Sequence, residues 1–166
     1  MKGVDLKYIE HERFRPVRLN GRTLRRWDLY DEALSADVFI NVPVAKHHGL
    51  TGLTLGLKNI MGVMGGNRGA IHRHIDSALA DINAVMKSRL TIIDATRILT
   101  AHGPQGGDIH DVKVLNKVIA SRDIVAADAV ATTLFGFRSD KLVTTVTAHR
   151  RGLGEMRLEK MRILRV

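Results

Sequence analysis

The run VFINV at 38–42 holds four apolar residues out of five and lacks the alternation of a half-exposed strand. At strand length, such a run fits a position buried on both faces of a sheet, with helices packed above and below. LTIID at 90–94 has the same character. Between the two lies IHRHIDSALADINAVMK, where Ile71, Ile75, Ala78, Leu79, Ile82, Val85 and Met86 keep helical spacing. Buried strands alternating with amphipathic helices predict a layered α/β domain. Asn20-Gly21 lies between two strand-like runs and supplies the positive φ values of a two-residue hairpin turn. The expected fold is therefore α/β, a mixed, mostly parallel sheet with helices on both faces and an N-terminal β-hairpin.

The remaining elements follow from local signals. VDLKYI at 4–9 alternates and reads as a strand. DLYDEALSA reads as a short helix with Asp28 as N-cap, and TGLTLGLKNIMGVM as a helix opened by Thr51. In that second helix Leu53, Leu57, Ile60, Met61 and Met64 share a face. ATRILTAHGPQGGDIHD reads as a long polar loop and VKVLNKVIAS as a strand. DIVAADAVATTLFG is a helix capped by Asp123 and stopped by Gly136. SDKLVTTVTAHRRG is a helix capped by Ser139 or Asp140, and RLEKMRILRV closes the chain as a strand.

A length of 166 residues suits one domain, 1–166. No stretch of eighteen apolar residues is present, and the N-terminus lacks the apolar core of a signal peptide. A cytoplasmic protein with no membrane partner is expected. The chain has no cysteine, so it ligates no iron–sulfur cluster through thiolates; no cofactor is otherwise named by its residues. The net charge is +9, with the excess in RFRPVRLNGRTLRRW and HRRGLGEMRLEKMRILRV. A basic nucleic-acid-binding module is one function class compatible with that charge. No helix-turn-helix, zinc-finger or RNP signature accompanies it, so nucleic acid ranks below a small ligand.

The chemistry concentrates in NVPVAKHHGLTGLTLGLKN at 41–59. In open α/β sheets ligands bind beyond the carboxyl ends of the strands. VFIN delivers Asn41 to that edge, LTIID delivers Asp94, and HGPQGG at 102–107 forms the opposite wall. Lys46 and Lys58 are candidates to hold anionic groups, together with the helix N-terminus expected at Thr51. His48 and Asp94 are candidate proton carriers. No P-loop motif and no nucleophile elbow is present. A metal-dependent enzyme built on His48, His102, His110 and Asp94 is a further alternative. His72 and His74 would point to opposite sides of a helix. Asp128, set among apolar residues, is expected to be held by hydrogen bonds in a structural role.

DVFINVPVAKHHGLTGLTLGLKNIMGV, then LTIIDATRI, HGPQGG, VIASRDIVAADAVATTLFG and RRGLGE, resembles the domain of unknown function family 362. The resemblance runs over roughly 35–155 and rests on Asn41, Pro43, Lys46, His48, Thr51, Gly52, Lys58, Asn59, Asp94, Gly103, Pro104, Asp123 and Asp128. It departs at Ile124, where proline is usual, and at His102, where an acidic residue is common. Members often carry a ferredoxin-like 4Fe-4S module, which implies a redox setting; the family's reaction is unassigned. The resemblance also implies that this chain matches the C-terminal portion of a larger α/β unit. Its sheet should then leave an edge or apolar face for a partner domain or a second copy to cover. The expected site comprises His48 and Asp94 as catalytic residues, and Asn41, Lys46, Thr51, Lys58, Asn59 and His102 as ligand-binding residues, with no metal ligand. The expected ligand is a small anion or anionic cofactor.

Overall fold

A computed structural model describes residues 3–166. An N-terminal hairpin pairs β1 (Phe14–Arg18) with β2 (Arg26–Tyr30) in antiparallel register. Its turn is wider than the two residues expected. Asn20 does adopt positive φ, but the closing bonds run from the Leu19 N–H to the Arg25 carbonyl and from the Gly21 N–H to the Leu24 carbonyl. The residues between them are held from outside. The N–H groups of Arg22, Thr23 and Leu24 donate to the carboxylate of Asp81 at 3.0, 2.8 and 2.8 Å. A β-carbon on Gly21 would run into that carboxylate, which is why glycine stands there.

After the short helix α1 (Asp31–Ser35) the chain enters a five-stranded mixed sheet. β3 (Ile40–Asn41) and β4 (Val44–His48) run parallel to the central strand β6 (Leu90–Leu99) on one side of it. β7 (Val112–Ser121) runs antiparallel to β6 on the other side, and β5 (Gly52–Thr54) runs antiparallel to β4 at the opposite edge. The α/β class, the mixed sheet and the front hairpin are all present.

The helices α2 (Gly56–Asn59), α3 (Ile75–Val85), α4 (Ile124–Thr133) and α5 (Val143–Arg150) complete the fold. Ala45, Ile93, Ala95 and Ile98 from the sheet pack with Leu53, Leu55, Ala127 and Ala131 in one apolar cluster. Leu29, Ile60, Met64, Leu79 and Ile82 build a second cluster around α3 and the hairpin. Alternation sorts the two sheet faces. Asn41, Ala45, Thr91, Ile93 and Ala95 point inward and are buried, while Ile40, Val42, Val44 and Val118 point outward and stay exposed. Of the helical cover expected on both faces, α4 packs over one; the other stays open along Ile40, Val42, Val44 and Val118.

Several element boundaries differ from the sequence reading. Residues 4–9 form no strand, and Val4, Leu6 and Tyr8 are exposed. Asp28 lies within β2, and α1 starts at Asp31. α5 starts at Val143, with Leu142 rather than Ser139 or Asp140 at its N-cap. RLEKMRILRV holds a single 3-10 turn at Leu158–Lys160 instead of a strand. β6 continues to Leu99, well into the segment expected to be loop.

The largest change is at Thr51. Residues 49–51 form the turn of the β4–β5 hairpin, and helix begins only at Gly56. Leu53 and Leu55, two residues apart, both enter the sheet core, so period two describes 52–55 better than period 3.6. Gly52 at φ +77° sits where a helix cannot run. The residues expected to share an apolar face (Leu53, Leu57, Ile60, Met61 and Met64) are nevertheless all buried.

Candidate functional site

The chain order β4, turn, β5, α2 folds the 41–59 segment back on itself, so that distant polar residues meet. Asn41 is buried at the end of β3. Its amide donates to the Gly56 carbonyl at 3.0 Å, and its carbonyl accepts from the Asn59 amide at 2.8 Å. These bonds clamp α2 to the sheet and place Lys58 beside β4.

His48 is 7% exposed, at the end of β4. Its ring lies nearly parallel to that of His72, with centroids 6.1 Å apart. Nδ1 accepts from the N–H of Leu50 at 3.2 Å and from that of Thr51 at 3.4 Å. These donors assign the proton of the neutral ring to Nε2. Burial is the main reason the His48 pKa falls to about 4; the charges of Lys58, His72, His47 and Lys46 push the same way. Lys58 is depressed too, first by burial and then by Lys46 and Arg68. Among the described residues no carboxylate acts on either group. Lys46, His48 and Lys58 are therefore brought together, joined by Arg68 and His72, in a cluster of positive and potentially positive side chains without a counter-charge.

His48 has a lowered pKa in the folded state, so on acidification the unfolded chain takes up this proton first. The stability it contributes is full above pH 6.5 and is lost as the pH falls from 6.5 toward 4. The loss should reach about 3 kcal/mol at most. Urea unfolding at several pH values checks this: the wild-type curve minus that of His48→Gln should rise with pH across this window. Parallel curves would contradict it.

Asp94 and His102 make their hydrogen bonds elsewhere. Asp94 projects from the uncovered face of the sheet, and its Oδ1 accepts the N–H and the hydroxyl of Thr96, both at 2.8 Å. Those two bonds hold its carboxyl below the usual range. His102 is exposed and its Nδ1 meets Asp111 at 2.9 Å, within the loop rather than at His48. The HGPQGG loop does close against β4: the Gly103 N–H donates to His47 Nδ1 at 3.1 Å, and the Gly49 N–H to the Gly103 carbonyl at 3.2 Å. The Thr51 hydroxyl donates to the Leu53 carbonyl and supports the turn.

The helix N-terminus expected to bind an anion at Thr51 is absent. α2 starts at Gly56, and the N–H groups of Gly56 and Leu57 are already taken by the Asp128 carboxylate at 2.7 and 3.0 Å. The expectation of a structural, hydrogen-bonded Asp128 agrees with this geometry. Among the described residues no three His, Asp or Glu side chains converge as a metal site, so His48, His102, His110 and Asp94 do not meet as a ligand set.

Arg68 is not among the sequence candidates, and His72 enters there only beside His74. Arg68 lies in a glycine-rich break and donates to the Met61 carbonyl at 3.3 Å; His72 lies in the 3-10 segment Arg68–His74 that precedes α3. Nothing in their local sequence marks them, because contact with β4 depends on how the chain turns after Met64.

The motifs along this segment can be compared with known families. The profile described as "Domain of unknown function (DUF362)" matches residues 1–133. The chain belongs to the DUF362 family. Its match to that profile starts well before residue 35, so the hairpin is part of the family region. A relative of this chain is the thylakoid-associated protein sll1697 of Synechocystis sp. (strain ATCC 27184 / PCC 6803 / Kazusa). It is 29% identical over 133 residues, which are 75% of this chain and 40% of the relative. The chain thus spans less than half the length of that relative. No solved structure matches it.

Proposed function

We propose that this DUF362 domain binds a small anionic ligand or cofactor at the cluster of Lys46, His48, Lys58, Arg68 and His72. The observation that carries the reading is electrostatic: His48 and Lys58 are depressed first by burial and then by the cations around them, and among the described residues no carboxylate offsets them. Gathering like charges costs stability, and an anion placed among them recovers it. Lys46 and Lys58 hold the anion as point charges, and His48 offers its Nε2–H as a neutral donor. Asn41 and Asn59 act by fixing α2. Asp94 and His102, lying outside the cluster, take no part in this contact. A redox setting for the ligand and a cytoplasmic location are part of this proposal. The printed association of the Synechocystis relative with thylakoids makes cell fractionation informative on that point.

Calorimetric titration with inorganic pyrophosphate tests the reading. Lys46→Ala and Lys58→Ala should each weaken binding by about 1–3 kcal/mol, the scale of one charge-assisted hydrogen bond, while far-UV CD and the unfolding midpoint stay near wild type. Equal affinities in all three proteins would contradict the reading. Tighter, sequence-selective binding of duplex DNA with a steep salt dependence would favour the nucleic-acid alternative instead.

A further inference from the structure

The uncovered face of the sheet is apolar across three strands. Ile40, Val42 and Val44 line the β3–β4 side at 46, 58 and 48% exposure; Val114 and Val118 line the β7 side at 59 and 60%. Ile92 lies between them, next to Ala120. On the covered face the same strands present Ala45, Ile93 and Ala95, all fully buried. Half-open side chains of this size expose on the order of 400 Å² together, within the range of the largest apolar patch a monomer tolerates and typical of a contact surface.

Two charged residues of β6 lie on this face. Asp94 pairs with Val44 and Val118, and Arg97 pairs with Val114. A register shift between Ala95 and Arg97 offsets the alternation, so that Ala95 and Ile98 are both buried on the covered face and these five residues all point the other way. Neither Asp94 nor Arg97 makes an ion pair among the described residues. They lie on one strand, three residues apart, with apolar columns on either side. A two-fold axis in the plane of the interface, crossing β6 between them, places Asp94 of each copy against Arg97 of the other. In such an isologous contact residue i meets j and j meets i. We propose that this face is a homodimer interface, with two sheets packed face to face, the valine and isoleucine columns as its dry centre and two reciprocal Asp94–Arg97 ion pairs. With its polar rim, the pair of faces reaches about 1,200 Å², where specific interfaces begin. The charge pattern selects a second copy over an unrelated partner because each sign is answered by the other on the same strand.

Sedimentation equilibrium on the full chain tests this, with CD and thermal unfolding as controls for folding. The wild type should be a dimer at micromolar concentration. Val42→Asp combined with Val118→Asp should give a folded monomer. Asp94→Arg should weaken dimerisation at least tenfold by setting like charges against each other, and adding Arg97→Asp should restore most of it. A wild type that stays monomeric at 100 micromolar would overturn the proposal, whatever else binds the face. So would a charge-reversed double variant no better than Asp94→Arg, because a hydrophobic contact lacking this symmetry axis would not be rescued.

Discussion

Asp128→Ala should destabilise the protein by about 2–6 kcal/mol, because it leaves two buried N–H groups without an acceptor at about 1–3 kcal/mol each. Those donors are Gly56 and Leu57 at the start of α2, and both residues are buried. The loss is a large part of the 5–15 kcal/mol that holds a typical domain together. α4 sets the geometry: Asp123 caps that helix by accepting from Val125 and Ala126, and Asp128 then projects into the sheet-facing interior. Gly56 is required opposite it, since a β-carbon there would stand 2.7 Å from Asp128 Oδ1 and 3.0 Å from Ile124 and Thr91. Urea unfolding reads the loss directly, and a variant as stable as wild type would show that α2 finds other acceptors.

Asp128 also has a pH signature, opposite in sign to that of His48. Burial raises its carboxyl to about 7, against the pull of the two N–H donors and helped slightly by the charge of Asp123. The folded state therefore keeps this proton at pH values where the unfolded chain has released it. Stability from this group is full below the ordinary carboxylate range and falls as the pH rises toward 7. The slopes of His48 and Asp128 oppose each other between about pH 4 and 6.5, so each is read as wild type minus variant.

The second large effect is expected at Asp81. It is fully buried in α3, accepts three N–H groups from the hairpin loop and pairs with Arg151 at 2.6 Å. Burial alone would raise its carboxyl, but the N–H groups of Leu24, Thr23 and Arg22 and the guanidinium of Arg151 outweigh it and hold the carboxyl below the usual range. Asp81→Ala should cost about 3–5 kcal/mol, the scale of leaving one member of a buried pair alone. It should also free the hairpin, so amide exchange at Arg22, Thr23 and Leu24 should quicken more than exchange in β6. A uniform change across both elements would show that Asp81 acts on global stability without anchoring the loop.

Much of the fold was legible because it rests on local signals. Ile93, Leu79 and Ile82 follow from periodicity, the cap at Asp123 from its residue type, and the hairpin from Asn20-Gly21. The exact turn was not legible, because Asp81, some sixty residues away, captures the N–H groups that would otherwise close it. The β4–β5 hairpin was misread for a related reason. Thr51 to Met64 satisfies a helical apolar stripe, and only the positive φ of Gly52 and the sheet contacts of Leu53 and Leu55 decide for strand. The uncovered face of VFINV was hidden as well, because a run that is apolar on both sides does not say which side this chain itself covers. Within the site, residue type singled out Lys46, His48 and Lys58. Their convergence with Arg68 and His72 depends on tertiary contacts.

The central claim is that an anion belongs among these cations, and His48 reports on it. Its Nε2 and ring carbons can be followed by NMR as the pH is lowered, first in chloride and then with saturating sulfate, which stays dianionic through the range. In chloride His48 should titrate near pH 4. With sulfate bound beside Lys46 and Lys58, its pKa should rise by at least one unit in wild type and stay near the chloride value in Lys46→Ala. A His48 titration unmoved by sulfate and by pyrophosphate alike would contradict the account.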